Sequence, residues 1–193
     1  MRKDAESLEI AQRVINSTLE VFNEKGLKFT MDDVAKNIRM SKKTIYRVFR
    51  DKDEIFTTMV DYIFDDIKTA EKEVLEDESL STVEKLRKLL GVMPQTYADI
   101  NFSRLNGLRN RYPKIYKKVE TRIESGWDDT IKLIEQGIEE GVIRPVSVPI
   151  VKMMMEATLE HFFQRDDLVE NNINYTDALQ EVVSVLIDGI VVK

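Results

Sequence analysis

The most informative stretch of the chain reads Thr30-Met-Asp-Asp-Val-Ala-Lys-Asn-Ile-Arg-Met-Ser-Lys-Lys-Thr-Ile-Tyr-Arg-Val-Phe49, followed by Arg50-Asp-Lys-Asp-Glu54. Thr30 and Asp33 have the spacing of a capping box, in which a hydroxyl and a carboxylate bond free backbone N–H groups at a helix start. Ser41 is a favoured N-cap residue and marks a second start. The stretch therefore predicts two short helices joined by a tight turn, with a third helix beginning at Asp51.

The second short helix has two chemically different faces. On a wheel of about 100° per residue, Ile45, Val48 and Phe49 fall on one side. Lys43 and Arg47 lie opposite them. A face of Lys, Arg, Thr and Tyr without acids suits the major groove of an anionic duplex, so the pattern predicts a DNA-reading helix.

Charge is concentrated in the same place. Residues 36–52 hold seven Lys or Arg and one acid, a net of +6 in a chain of net −6. Residues 1–52 carry +4 (12 basic, 8 acidic), and residues 53–193 carry −10 (17 basic, 27 acidic). This distribution indicates a nucleic-acid-binding head on an acidic body that should not itself bind DNA.

These residues resemble the N-terminal domain of the TetR family of transcriptional regulators. The resemblance covers roughly the first quarter of the chain, and one departure stands out: Arg39 occupies the turn where the family usually has glycine. Further hallmarks are Ala11, Phe22, Gly26, Phe29-Thr30, Val34-Ala35, Ser41 to Tyr46, Phe49, Lys52 and Asp53.

The resemblance assigns roles to side chains of the head. Lys42, Lys43 and Thr44 match family positions that face base edges. Arg47, on the same helix, is expected to reach a base or a phosphate. Thr30, Tyr46 and Lys52 match positions that hold the DNA backbone, which gives affinity and register more than sequence choice. The predicted DNA-binding set is Thr30, Ser41, Lys42, Lys43, Thr44, Tyr46, Arg47 and Lys52.

Beyond the head every segment again predicts helix. The expected architecture is all-α with about nine helices: a helix-turn-helix domain over residues 1–52 and a helical effector-binding and dimerisation domain over residues 53–193. One long helix is predicted from Pro113 to Gly141, since proline suits a first helical turn and glycine an end.

Two stripes at helical spacing lie in the last two predicted helices, and they fit either the protein core or an interface. The resemblance implies that these helices pair with their copies in a homodimer, which would match two readers to a palindromic operator. The predicted interface residues are Val151, Met155, Leu159, Phe162, Leu179, Val183, Leu186 and Ile190.

Aromatic and methionine side chains of the second domain fit either a core or an adaptable apolar cavity. The resemblance implies an effector cavity for a small molecule there, without naming the effector. The candidate lining residues are Tyr62, Met93, Tyr97, Phe102, Tyr116, Trp127, Met153 and Met154.

The sequence offers little for catalysis or for metal binding. The chain has no cysteine and one histidine, His161, so a thiolate site or a multi-histidine site is excluded; Glu156 and Glu160 near His161 leave only a carboxylate-rich alternative. We find no nucleophile elbow and no glycine-rich phosphate loop. We expect no enzyme activity, no cofactor and no metal.

The N-terminus lacks an apolar signal core, and no stretch reaches the ~20 apolar residues of a membrane span, so the expected compartment is the cytoplasm. The leading hypothesis is a homodimeric repressor that is released from its operator by a small molecule. The alternatives are an effector-independent architectural DNA binder and an interaction module on the same scaffold.

Overall fold

A computed structural model describes residues 5–97, 105, 107–165 and 167–193. Between these residues the only β contact is an isolated bridge, and the predicted all-α class is confirmed. The helices are α1 (Ala5–Lys25), α2 (Met31–Asn37), α3 (Lys42–Ile45), α4 (Lys52–Glu76), α5 (Thr82–Leu90), α6 (Leu108–Arg111), α7 (Pro113–Glu124), α8 (Asp128–Glu139), α9 (Val148–Gln164), α10 (Asp167–Glu170) and α11 (Tyr175–Ile190), with 3₁₀ turns at Gly26–Lys28 and Gln95–Tyr97.

The chain divides into two compact units. The head unit comprises Met1–Ile63 and Arg104–Val119, and the body unit comprises Phe64–Ser103 and Glu120–Lys193. Helices α4 and α7 therefore supply residues to both. The boundary that the sequence predicts after residue 52, between a DNA-binding domain and an effector-binding domain, stays a prediction.

In the head unit α1, α2 and α3 pack against one another. Their apolar faces meet the first turns of α4, which bury large side chains with almost no exposed surface. Burial of this kind contributes about 1.5–3 kcal/mol per large apolar side chain. Large side chains buried in this way include Phe22, Phe29, Ile45, Phe49, Ile55 and Phe56.

Both short helices of the head start where the sequence predicts. The Thr30 hydroxyl accepts from the Asp33 N–H at 3.2 Å, and the Thr30 N–H donates to the Asp33 carboxylate at 2.8 Å, which completes the capping box. The Ser41 hydroxyl accepts from the Thr44 N–H at 3.1 Å. Regular α-helix in α3 is limited to Lys42–Ile45, and the chain continues as tighter turns up to Val48.

The turn between α2 and α3 contains a strained residue. Arg39 has φ +53°, in the left-handed region that disfavours any side chain with a Cβ. The family that the sequence resembles usually has glycine at this position. Here an arginine adopts the backbone conformation that glycine favours.

In the body unit α5 packs on α8 and α11. The prediction of a single helix from Pro113 to Gly141 is wrong, because the chain breaks between Glu124 and Asp128. Gly126 has φ +78° at the break, a conformation that ends α7 and redirects the chain into α8. The apolar spacing resumes after the break, which is why periodicity alone joined the two helices.

A short connection fixes the end of α11 beside the segment after α8. The Arg144 N–H donates to the Ile190 carbonyl and the Val192 N–H to the Val142 carbonyl, both at 2.9 Å, around the bridge between Ile143 and Val191. The buried Ile143 side chain lies against Gly137, where a Cβ would come within 2.5 Å of it. Any side chain at 137 would therefore force the buried Ile143 side chain to shift.

In the described ranges of the chain, none of the helices combines the length and the apolarity needed to cross a bilayer.

Replacing Arg39 with glycine should raise the free energy of unfolding by about 1 kcal/mol, because glycine adopts the left-handed conformation without a Cβ clash. Arg39→Ala is the matched control, since it removes the same charge but keeps the strain, and we expect a change within about 0.5 kcal/mol. Urea unfolding of both variants measures the difference. Equal stability of the two variants would contradict the strain argument.

Candidate nucleic-acid interface

The outer face of α3 and the turns after it carry three exposed polar side chains, Lys43, Tyr46 and Arg47. The Tyr46 side chain is 48% exposed. No ion pair to Lys43 or Arg47 is formed by the residues that the structure describes. Because the opposite face buries Ile45 and Phe49, this face has a fixed direction and an unneutralised positive charge.

Two other residues of the predicted DNA-binding set, Ser41 and Thr44, also form the N-terminal cap of α3. The Ser41 hydroxyl lies 2.8 Å from the Thr44 hydroxyl and also accepts the Thr44 N–H, so both side chains take part in the cap. A hydroxyl can donate once and accept twice, which leaves hydrogen-bonding capacity for a ligand.

Lys42 differs from Lys43 because it is paired. Its ammonium lies 3.0 Å from the Asp32 carboxylate of α2. The hydrogen bond to Asp32 raises the pKa of Lys42 above its usual range. Sequence reasoning missed this pair because Asp32 belongs to the preceding helix, and the pairing depends on how α2 and α3 pack.

At the start of α2, Thr30 is exposed, and its hydroxyl donates to the Asp33 carboxylate at 2.7 Å. The hydrogen bond from Lys25, with those from Thr30, lowers the pKa of Asp33 to about 2. The acid is therefore ionised at neutral pH, and the capping box is intact where DNA binding would occur.

The Lys52 side chain is hydrogen-bonded within the head unit. Its ammonium donates to the Phe29 carbonyl at 2.6 Å and the Leu27 carbonyl at 3.1 Å, and it lies 3.9 Å from the centre of the Phe29 ring. An ammonium has three donors, so two are used inside the head unit and one remains for a phosphate. Lys52 thus ties the start of α4 to the segment before α2.

Tyr112 completes this arrangement and was not predicted as part of it. The Lys52 ammonium is 5.2 Å from the centre of its ring, and its hydroxyl lies 3.5 Å from the Leu27 carbonyl. The ring also stacks edge-on against Phe56, with centroids 5.6 Å apart. A tyrosine directly before Pro113, flanked by Arg111 and Lys114, was the available signal in the sequence.

The geometry is that of a helix-turn-helix with a cationic outer face, and the comparison with known proteins agrees. Residues 14–59, which cover most of α1, then α2, α3 and the start of α4, match the family model described as "Bacterial regulatory proteins, tetR family". The N-terminal part of the chain is therefore a DNA-binding domain of the TetR family of transcriptional regulators.

Similarity to individual proteins extends beyond the head. The uncharacterized HTH-type transcriptional regulator YvaF of Bacillus subtilis is 24% identical over 179 residues, covering 93% of this chain and 94% of that one. The nucleoid occlusion factor SlmA of Aliivibrio fischeri is 24% identical over 153 residues, covering 74% and 75%. A TetR-family regulator from Cytophaga hutchinsonii has the same fold, with a TM-score of 0.71, 23% identity and full coverage of both chains.

The predicted effector-pocket residues are divided between the two units. Tyr62 and Tyr116 belong to the head unit, and Phe102 lies outside the described residues. In the body unit Tyr97 is buried and donates to Asp66 at 2.5 Å, while the half-buried Trp127 donates to the Ile123 carbonyl at 2.8 Å. The half-buried Met93 also belongs to this unit.

Met153 and Met154 require a correction. They are 59% and 55% exposed on α9, so they do not line a cavity within the chain. A cleft of about 300 Å³ does occur in the body unit, between the end of α4, α5 and α8. Leu75, Leu133 and Gln136 are among its lining residues, and none of the predicted pocket residues is.

The predicted dimer-interface set also needs correction. Leu159 and Phe162 are half-buried, and the other six side chains are buried inside the single chain. Helical spacing identified the buried face correctly but could not tell a chain's own core from an interface. The six buried residues are Val151, Met155, Leu179, Val183, Leu186 and Ile190.

The opposite face of α9 is apolar and open. Ile150, Met153, Met154 and Ala157 follow the i, i+3, i+4, i+7 spacing of one helix face, and each is exposed. This face of α9, and not the buried stripe, is the apolar surface that the helix leaves exposed.

His161 is exposed and lies 2.7 Å from Asp167. The carboxylate alternative involving Glu156 is not formed, since Glu156 pairs with Lys152 at 3.3 Å. A different group of acids, Glu120 and Glu124 of α7 and Glu160 of α9, has carboxylate oxygens within 4.8 Å of one another. Like charges are therefore close together at this point.

Replacing Lys52 with methionine should lower the free energy of unfolding by about 1.5–3 kcal/mol, because two carbonyls lose a charged donor while the apolar stem is kept. Lys43→Met, on the exposed face of the same unit, is the control and should change it by less than about 0.5 kcal/mol. Chemical unfolding measures both. Equal effects would show that the Lys52 hydrogen bonds contribute no more than a surface charge.

Proposed function

We propose that this regulator is a repressor that binds a palindromic operator as a homodimer and leaves it when a small molecule binds. The observation that carries the proposal is the outward face of Lys43, Tyr46 and Arg47 on a reader fixed by capped helix starts. Such a face can enter a major groove and contact bases and phosphates at once. Its target is chromosomal, so the compartment we propose is the cytoplasm.

Within the reader, Lys43 is the strongest candidate for base contact, since it is exposed and unpaired in the described structure. Lys42 shares its charge with Asp32, so it would contribute less to affinity unless that pair opens. Thr44 is half-buried and engaged in the cap, and Arg47 is free to reach a base or a phosphate.

Backbone contact is assigned to Thr30, Ser41, Tyr46 and Lys52. Thr30 and Ser41 lie at helix starts, where N–H groups and the helix dipole favour a phosphate. Lys52 keeps one donor for a phosphate while two donors hold carbonyls. These contacts give affinity and register and little sequence choice.

Dimerisation supplies the second reader that a short recognition helix needs. We assign the interface to the open apolar face of α9, formed by Ile150, Met153, Met154 and Ala157. An exposed row of apolar side chains is unfavourable in a monomer and is typical of an interaction site.

Release by an effector rests on family membership and on the space available in the body unit. The cleft beside Leu75, Leu133 and Gln136 has about 300 Å³, the lower end of the usual size for small-molecule sites. Helix α4 runs without a break from Lys52 in the head unit to Glu76 beside this cleft. A ligand that binds two arrangements of α4 unequally would change operator affinity.

The second candidate is an architectural DNA binder that acts without a small-molecule effector. It shares the reader and the dimer with the first candidate. The two differ in whether any compound changes DNA affinity. We propose no catalytic activity in either case.

Salt-dependent binding to a duplex from the upstream region of the gene tests the reader. Lys43→Ala should lower discrimination at one base-pair position by about 1–3 kcal/mol, because a base contact is lost. Tyr46→Ala should weaken binding to all sequences about equally, since it removes a backbone contact.

Lys88→Ala is the matched control, because Lys88 is an exposed lysine of the body unit. Its sequence preference and affinity should equal those of the unchanged protein. Selection from a random-sequence library supplies the preferred site if the upstream duplex fails. Binding at the level of random DNA in both assays would refute the proposal.

The double variant Met153→Glu, Met154→Glu should convert the dimer to a monomer, because pairing would bury carboxylates without partners at a cost of several kcal/mol. Val169→Glu, at a 47% exposed apolar residue of α10, controls for added charge. Sedimentation velocity measures the mass of each. A double variant that remains dimeric would exclude this face of α9.

A further inference from the structure

The head unit contains a second positively charged surface that lies outside the helix-turn-helix. Residues 107–119, read Gly-Leu-Arg-Asn-Arg-Tyr-Pro-Lys-Ile-Tyr-Lys-Lys-Val, contain five basic residues and no acid. Without them, residues 53–193 would carry −15 (12 basic, 27 acidic), so this basic segment is an island in an acidic body. By its contacts it belongs to the head unit.

The apolar residues of the basic segment anchor it. Leu108, Ile115 and Val119 are buried. The Tyr112 ring lies between Phe56 and the Lys52 ammonium. The segment is therefore fixed on the head unit through its core, which turns its remaining side chains outward.

Its cations are differently placed. Lys118 is half-buried and paired with Asp61 at 2.5 Å, so its charge is used within the head unit. Arg109, Arg111 and Lys114 are exposed. Among the described residues none of these three has an acidic partner; Arg109 and Arg111 contact only the rings of Tyr116 and Tyr112. An aromatic ring leaves the charge of a guanidinium in place.

The basic segment lies at the edge of the head unit where phosphate contacts are proposed. Tyr112 and Lys52 share the Leu27 carbonyl, and Lys52 also holds the Phe29 carbonyl, directly before Thr30. Arg111 and Lys114 are one and two residues from Tyr112, within about 4–7 Å along the chain. Their long side chains extend the cationic surface beyond Thr30 and Lys52.

We propose that Arg111 and Lys114 bind the phosphate backbone of duplex DNA flanking the sequence that α3 reads. The inference rests on the proposed function, because it assumes that the reader is seated on DNA. Uncompensated cations beside Lys52, which we propose as a phosphate contact, would meet the duplex as it continues past the half-site. This contact adds affinity and salt dependence without sequence choice.

The test compares two duplexes: the operator core alone, and the core with about one helical turn (~10 bp) added at each end. Arg111→Gln with Lys114→Gln should reduce the salt slope of the full-length protein on the long duplex by about 3–4, from four lost phosphate contacts in a dimer at ~0.9 each. On the core duplex its slope should equal that of the unchanged protein.

Lys88→Gln with Arg165→Gln is the matched control, because it removes one exposed lysine and one exposed arginine from the body unit. It should keep both slopes. Thermal unfolding verifies that each variant is folded. Equal slopes of the Arg111 and Lys114 variant and the control on the long duplex would overturn the inference, as would an equal loss on both duplexes.

A second measurement does not depend on affinity. The chain has no cysteine, so Lys114→Cys provides a single attachment point for an iron chelate that cleaves nearby DNA backbone. We expect cleavage in the flanks and none from the same chelate at Lys88→Cys. If the long duplex is bound but its flanks are not cleaved, the inference is overturned while the proposed function stands. The basic segment would then be available to bind an acidic protein. Failure of the unchanged protein to bind any duplex would overturn both.

Discussion

The ammonium of Lys52 is the contact on which the head unit depends. From the first residue of α4 it bonds the carbonyl of Leu27, within the 3₁₀ turn after α1, and that of Phe29, directly after this turn. Carbonyls at the end of a helical turn lack partners of their own, and a cation there is favourable. This one side chain therefore links the start of α4 to the segment before α2 and to the ring of Tyr112. The reader can present a constant face to DNA only if these parts stay together.

The head could be predicted from the sequence because its information is local. Capping pairs such as Thr30 with Asp33 act over three residues, and the buried positions of α3 follow helical spacing over one short segment. The predicted charge face, the helix starts and the family resemblance all came from such short-range patterns. The acidic partner of a cation could not be predicted from such patterns. Asp32 pairs with Lys42, for example, because of how α2 and α3 pack against each other.

The body was harder to predict for a physical reason. A stripe at helical spacing shows that a face is buried, but the same stripe is produced by a core and by an interface. Val183 and Ile190 are core, and the open face of α9 carries the apolar residues that the stripe did not include. The break at Gly126 was also hidden, because a single left-handed residue interrupts a helix without interrupting its apolar spacing. Tyr112 and Pro113 belong with the head only through long-range packing.

The pair between Asp32 and Lys42 has a consequence for selectivity. An acid placed beside a cationic reading face repels every phosphate that approaches, whatever the base sequence. At a site whose bases draw the Lys42 ammonium away from Asp32, that cation offsets the repulsion, whereas on random duplex the penalty remains. A regulator must find one site among a great excess of others, and occupancy depends on the ratio of the two affinities and not on either alone. A carboxylate that weakens binding can in this way sharpen the search for the correct site.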